Sequence, residues 1–286
     1  MNEHPDLKAL VQETPQIATL PSVYSELSTL ITQQHANATL VARVVSMDPG
    51  LTVRLLRMVN SSFYGLQHRV DTVSHAVSLI GHEQLRQLAL ATTVVHMFRA
   101  MPEHLINMKS YWSHSIATAI ACRALGRMLQ VAKVESLFVT GLLHAVGSLV
   151  ICINRPRKAR RVFILVKNSE RQLHEVEKEV LGYTHADVGA ALMKNWGLSP
   201  TQVEAVRWKH EPMKAGVTHR KAAAILHVAN VVSCALNVGS VGDEVIPKFS
   251  EEAWEELGLE PEAMQALVWE IEEQFEDLTQ RMTETG

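Results

Sequence analysis

The sequence predicts an all-helical protein, and three observations carry that prediction. Apolar residues recur at three-to-four spacing in nearly every segment, and almost none alternates as a half-buried strand would. Of the 286 residues 47% are hydrophobic but only 5% aromatic, so the core is built from Leu, Val, Ala and Met, a mixture that suits packed helices. Helix start and stop residues punctuate the chain throughout.

In chain order, the spacing marks helices over about 22–34 and 38–47. Asp48 and Pro49 open the next, over about 50–61, as an N-cap followed by a proline whose missing N–H costs nothing there. Leu51, Leu55 and Val59 share one face of it. Thr72 caps a helix over about 73–80, and Gly81 separates it from one over about 83–98. The proline-bearing stretch Ala100–His104 interrupts the pattern and marks a boundary. Asn107 caps a long helix over about 108–129, and helices over about 134–153, 157–168 and 170–181 follow. Thr184 opens about 185–196, and Ser199 with Pro200 opens about 200–210; Gly182 and Gly197 close the preceding helices. A helix over about 220–236, a linker over 237–249, and helices over about 251–257 and 262–282 complete the chain.

Composition narrows the class. The apolar stretch Leu137–Ile153 is broken by Thr140, Gly141, His144, Gly147 and Ser148, so it reads as a buried helix. A membrane span needs about 20 mostly apolar residues in a row. Cys122, Cys152 and Cys234 are scattered and odd in number, which fits a reducing compartment, and MNEHPDLKAL has no basic-then-apolar signal. The expected location is the cytoplasm. The net charge of −3 hides an asymmetry: residues 1–250 hold 26 Lys+Arg against 18 Asp+Glu, whereas residues 251–286 hold only Arg281 against 12 acids.

Four of the 14 histidines stand at telling places. His114 and His144 lie inside helices, His185 begins one and His210 ends one. A lone helical histidine is more often a core or capping residue than a ligand. Four on separate helices shift that balance, because neutral imidazole is a common metal ligand.

These residues resemble the HD superfamily of metal-dependent phosphohydrolases, whose pattern is a helical His, a His-Asp pair and a distant helical Asp. His114 matches the first His and His144 the His of the pair. The Asp of the pair is Ala145 here, and the distant Asp matches Asn230. His185 and His210 match additional histidines of related subfamilies, and Lys209 stands where relatives often carry a second His. LPSVYSELSTLI, VVSMDPGLTVRLLRMVNSSFYG and VDTVSHAVSLIGHEQLRQLAL make the resemblance closer still, to the HDOD family (HD-related output domain). It implies a two-lobed helical signalling module without catalysis. The lobes are expected at 1–101 and, as a degenerate HD-like lobe, 102–238, with a linker and acidic helical tail at 239–286.

The chemistry points the same way. Hydrolysis of this kind needs a divalent cation to polarise phosphate and activate water, and hard cations want carboxylate oxygens. Ala145 offers no ligand atom and Asn230 only a neutral carbonyl. The expectation is no catalytic residue and no cofactor, with a transition metal such as Zn or Ni on His114 and His144 as the alternative. The expected role is signalling through protein partners, tied to cyclic-dinucleotide or two-component pathways. The alternatives are a phosphohydrolase with an altered ligand set and a nucleotide sensor that does not hydrolyse.

Three further features are singled out. Arg155, Arg157, Lys158, Arg160 and Arg161 read as a solvated helix start or as a phosphate or partner patch; without interleaved aromatics they argue against sequence-specific nucleic-acid binding. Asn60, Phe63 and Tyr64 read as a packed helix end or as a partner surface. The apolar stripe of the acidic tail reads as docking on its own domain, or as a homodimer or partner helix.

Overall fold

The computed structural model describes residues 5–13, 15–33, 36–99, 105–243 and 245–283. Among them every regular element is helical and there is no strand. Contacts divide the chain into two units, Met1–Thr19 with Ala100–Ile271, and Leu20–Arg99 with Glu272–Gly286. These units do not coincide with the segments read from the sequence, and the expected boundary Ala100–His104 lies outside the described residues.

Two helices precede those expected, α1 (Pro5–Gln12) and α2 (Pro15–Ala18). Leu10 and Ile17 are buried, and three donors hold the backbone here: Asn154 to Leu10 O at 3.0 Å, Asn195 to Ala18 O at 2.6 Å and Trp196 Nε1 to Ile17 O at 2.9 Å. These bonds tie α1 and α2 into the larger unit.

The smaller unit holds α3 (Ser22–Thr32), α4 (Ala38–Val45), α5 (Pro49–Val59), α6 (Val73–Ile80) and α7 (His82–Met97). Asp48 caps α5 by accepting from Leu51 N at 2.9 Å, and Thr72 caps α6 through His75 N at 3.2 Å. The shared face of Leu51, Leu55 and Val59 is buried. Asn60 closes the end of α5. Its Nδ2 donates to Leu56 O at 2.8 Å and Val70 O at 2.7 Å, while its Oδ1 accepts from Val70 N at 2.7 Å. Phe63 is only 3% exposed, with Tyr64 edge-on against it at 5.2 Å, so Phe63 packs at this helix end while Asn60 and Tyr64 stay partly exposed.

The larger unit continues with α8 (Met108–Met128), α9 (Val134–Leu143), α10 (Val146–Asn154), α11 (Pro156–Lys167), α12 (Leu173–Leu181), α13 (His185–Asn195), α14 (Pro200–Arg207) and α15 (Val217–Ala235). The helix expected over 134–153 is therefore two. His144 Nδ1 lies 2.6 Å from Gly141 O, engaging the carbonyl that a continuing helix would offer to Ala145, and Ala145 turns out at φ −112°, ψ 8°. The apolar stretch Val134–Asn154 is long enough to cross a membrane but lies mostly buried in the fold. Two glycines let its helices approach their neighbours: a Cβ on Gly141 would sit 2.7 Å from Ala119 Cα, and one on Gly147 only 2.0 Å from His185 O. Among apolar helices such backbone proximity is open only to glycine.

The tail forms α16 (Glu251–Leu257) and α17 (Glu262–Thr283), as the spacing predicts, with Ser250 capping α16 through Ala253 N at 3.2 Å. Leu267, Ile271 and Leu278 are buried and Phe275 is half-buried, so the stripe docks within its own chain. Trp269 stays 64% exposed. Glu270 of the tail pairs with Arg127, and Asp277 accepts from Ser62.

Candidate functional site

The close packing at Gly141 and Gly147 brings the ends of α9 and α10 against α8 and α13, and with them the buried histidines. Two groups result. In the first, His114 of α8 and Asn230 of α15 meet directly, Nε2 to Oδ1, at 3.1 Å. Thr118, one turn along α8, has its hydroxyl 3.4 Å from the same nitrogen. The rings of His114 and His144 stand 5.3 Å apart at 60°, both fully buried. His114 Nδ1, His144 Nε2 and the Ser148 hydroxyl have no hydrogen-bond partner among the described residues. Ala145 is buried beside them and offers no polar side-chain atom.

In the second group, His185 is joined to Glu177 of α12 and to His210. Its backbone N–H donates to Glu177 Oε2 at 2.8 Å, its Nδ1 lies 2.7 Å from the same oxygen, and its Nε2 lies 3.3 Å from His210 Nε2. His174 stacks on His210 with ring centres 4.0 Å apart.

Burial sets the charge state. It pushes the Glu177 carboxyl up to about 8 and pulls His185 down to about 3 and His114 and His174 down to about 4, with His144 and His210 also well below the ordinary range. The contact of His185 with Glu177 is thus a hydrogen bond of a neutral imidazole, not an ion pair. The positive charge of Lys209, itself only 2% exposed, acts on all five of these histidines in the same direction as burial. Burial pulls that ammonium down to about 8, while Asp243 and Glu177 favour its charged form. His227 fixes the backbone here: Nδ1–H donates to Lys209 O at 2.8 Å and Nε2 accepts from Ser250 N at 3.1 Å.

The sequence-predicted residues therefore fall into place unevenly. His114, His144, Ala145 and Asn230 come together, and His185 and His210 form a neighbouring group with partners of their own. Asp187 belongs to the cap of α13 with Thr184, and Glu211 pairs with Lys214. Arg155 is bound to Glu13 at 2.9 Å, whereas Arg157, Lys158, Arg160 and Arg161 are exposed. Sequence reasoning missed His174, Glu177 and His227. The signal for Glu177 was available, since it shares the apolar stripe of α12 with Leu173, Val176 and Leu181.

These donors do not suit a hard divalent cation: beside two imidazoles the first group offers only the neutral amide of Asn230, and Ala145 adds no ligand atom. Among the described residues no three His, Cys, Asp or Glu side chains converge as a ligand set.

The chain matches the HDOD domain family over residues 17–212. A protein of Treponema pallidum (strain Nichols) is 23% identical over 239 residues, which cover 83% of this chain; the chain spans about half the length (45%) of that relative. An HDOD domain protein of unknown function from Geobacter sulfurreducens has the same fold, with a TM-score of 0.78 and 20% identity over 98% of both chains. A protein of Marinobacter aquaeolei VT8, provisionally named for signal transduction, is similar at a TM-score of 0.73 and 23% identity, over 93% of this chain and 60% of its own.

Proposed function

The chain belongs to the HDOD domain family, and from that premise we propose that it is a non-catalytic signalling module acting through protein–protein contact, in cyclic-dinucleotide or two-component pathways. The observation that carries the reading is the 3.1 Å contact between His114 and Asn230. Of the four positions that the resemblance marks, His114 and His144 keep an imidazole, Asn230 offers only a neutral amide and Ala145 offers no ligand atom, so both carboxylates that a hard cation wants are missing. A site so composed supplies no Lewis acid to a phosphate and no metal-bound hydroxide. The provisional name of the Marinobacter protein supports the signalling half of the reading.

The test is direct. The full chain is assayed against cyclic dinucleotides, nucleoside monophosphates and a generic phosphodiester with Mg²⁺, Mn²⁺ or Fe²⁺ supplied, and its metal content is measured. No turnover and no stoichiometric metal are expected. Metal-dependent turnover that vanishes in His144→Ala would overturn the reading.

A further inference from the structure

Helix α11 starts with positive charge where a helix dipole is least hospitable to it. Arg157, Lys158, Arg160 and Arg161 lie in its first two turns, with no acid in the first turn to offset them. Arg155 is held by Glu13, but Arg157, Arg160 and, at the far end, Lys167 are exposed and form no ion pair among the described residues. Their spacing puts them on one side of α11, with Ile164, 52% exposed, between them.

That side of the helix is not a flat surface. Arg157, Arg160, Lys167, Ile164, Phe163 and Leu105 line a concavity of about 580 Å³, within the roughly 300–1,000 Å³ of small-molecule sites. Phe163 is the fixed part of its wall. The ring is half-buried against Gly242, so tightly that a Cβ there would lie 2.6 Å from Cε1. The same ring also borders a small void reaching Cys152 and Glu177, so one aromatic side chain stands between this groove and the group around His185.

We infer that the α11 groove binds a nucleoside phosphate, with the phosphate on Arg157 and Arg160, the base against Phe163 and Ile164, and Lys167 donating to an acceptor at the far edge of the base. Guanidinium groups pair with phosphate oxygens through two parallel hydrogen bonds, and a seated aromatic ring gives a planar base its stacking partner. A single aromatic and a cavity of this size suit one nucleotide unit; a nucleic-acid strand would need a row of such platforms along a basic track.

The experiment is calorimetric titration of the full chain with GDP, ADP, cyclic di-GMP, guanosine and inorganic phosphate. A single-stranded oligonucleotide and anionic phospholipid vesicles serve as competing classes. At least one nucleotide should bind with a Kd below about 1 mM, more tightly than guanosine or phosphate, and weaken as salt rises. Arg160→Gln and Lys167→Gln should each weaken it about tenfold, since each removes a charged hydrogen-bond donor. Both positions are exposed, so the fold should survive, and Lys221→Gln, exposed on α15, should leave binding unchanged. Phe163→Leu should reduce the preference for nucleotide over free phosphate. No nucleotide binding, binding indifferent to Arg160 and Lys167, or binding confined to the oligonucleotide or the vesicles would each overturn the inference.

Discussion

Glu177 and His185 are joined twice over: one carboxylate oxygen takes the backbone N–H of His185 at 2.8 Å and stands 2.7 Å from its ring Nδ1. Burial raises the Glu177 carboxyl from 4.5 to about 8. A carboxyl raised in the folded state contributes stability that is complete below about 4.5 and is lost as pH rises through about 8. Glu177→Gln keeps an acceptor for both contacts and cannot ionise. The stability of the native protein relative to this variant should therefore fall by about 1.4 kcal/mol per pH unit between pH 5 and 8. Urea unfolding of both proteins across that range reads it; a difference independent of pH would refute the assignment.

The buried histidines produce the opposite slope in acid. Burial holds His114 at about 4 and His185 at about 3 when folded, below the ordinary 6.5 they regain on unfolding. Their contribution is present above pH 6.5 and is lost as pH falls towards those values. Glu177 opposes them by keeping a proton that the unfolded chain releases above 4.5. The net expectation is loss of stability between pH 6.5 and 4.5. His114→Leu should make this loss shallower by about 1.4 kcal/mol per pH unit, whatever it costs at pH 7. An unchanged slope in thermal melts at pH 7, 6 and 5 would count against it.

Gly147→Ala should destabilise by about 3 kcal/mol or more, because the new methyl would overlap the His185 carbonyl and lie 2.6 Å from Gly189 N. Gly197→Ala, with nothing within 4 Å of the added carbon, should cost only the strain of its positive φ, about 1 kcal/mol. Chemical denaturation ranks the two, and the reverse order would show that α10 and α13 are not in backbone contact.

Asn60→Ala should cost about 2–3 kcal/mol, since it removes three neutral hydrogen bonds at the end of α5, including both to Val70. Asn60→Asp retains only the acceptor and should recover part of this at most. Equal stability of all three proteins would mean that the clamp is not formed in solution.

In the tail, Leu278→Ala should cost about 2–4 kcal/mol and Glu276→Gln less than about 0.5, since Leu278 is fully buried and Glu276 is exposed. Limited proteolysis should cut the Leu278 variant in α17 first. Faster cleavage of the Glu276 variant would show that charge, not burial, holds the helix.

Much of this fold could be read from local signals because those signals act over a few residues. Asp48, Thr72, Asn107, Thr184 and Ser199 each cap the helix they were expected to cap. Residues 5–18 gave no such warning, since their helices are held by donors from Asn154, Asn195 and Trp196 far along the chain. The break at Ala145 was equally hidden, being made by a side chain bonding to the backbone three residues earlier. At the site, the pairing of His114 with Asn230 could be expected from the resemblance. The alliance of His174, Glu177, His185 and His210 depends on how α12, α13 and α14 pack, and spacing alone does not encode that.

The segment between α15 and α16 was expected to be a linker, but it has the anatomy of a strap. Val241 is fully buried, Ser240 N–H bonds Ser110 Oγ at 2.9 Å, and the far end at Ser250 is tied to the imidazole that also holds Lys209 O. A protease nick in this stretch should therefore leave two fragments that co-purify. A truncation ending near residue 238 would not trim an appendage but strip a wall from the histidine-bearing interior. Shortened versions made for crystallisation or partner screening should keep the chain at least through α16.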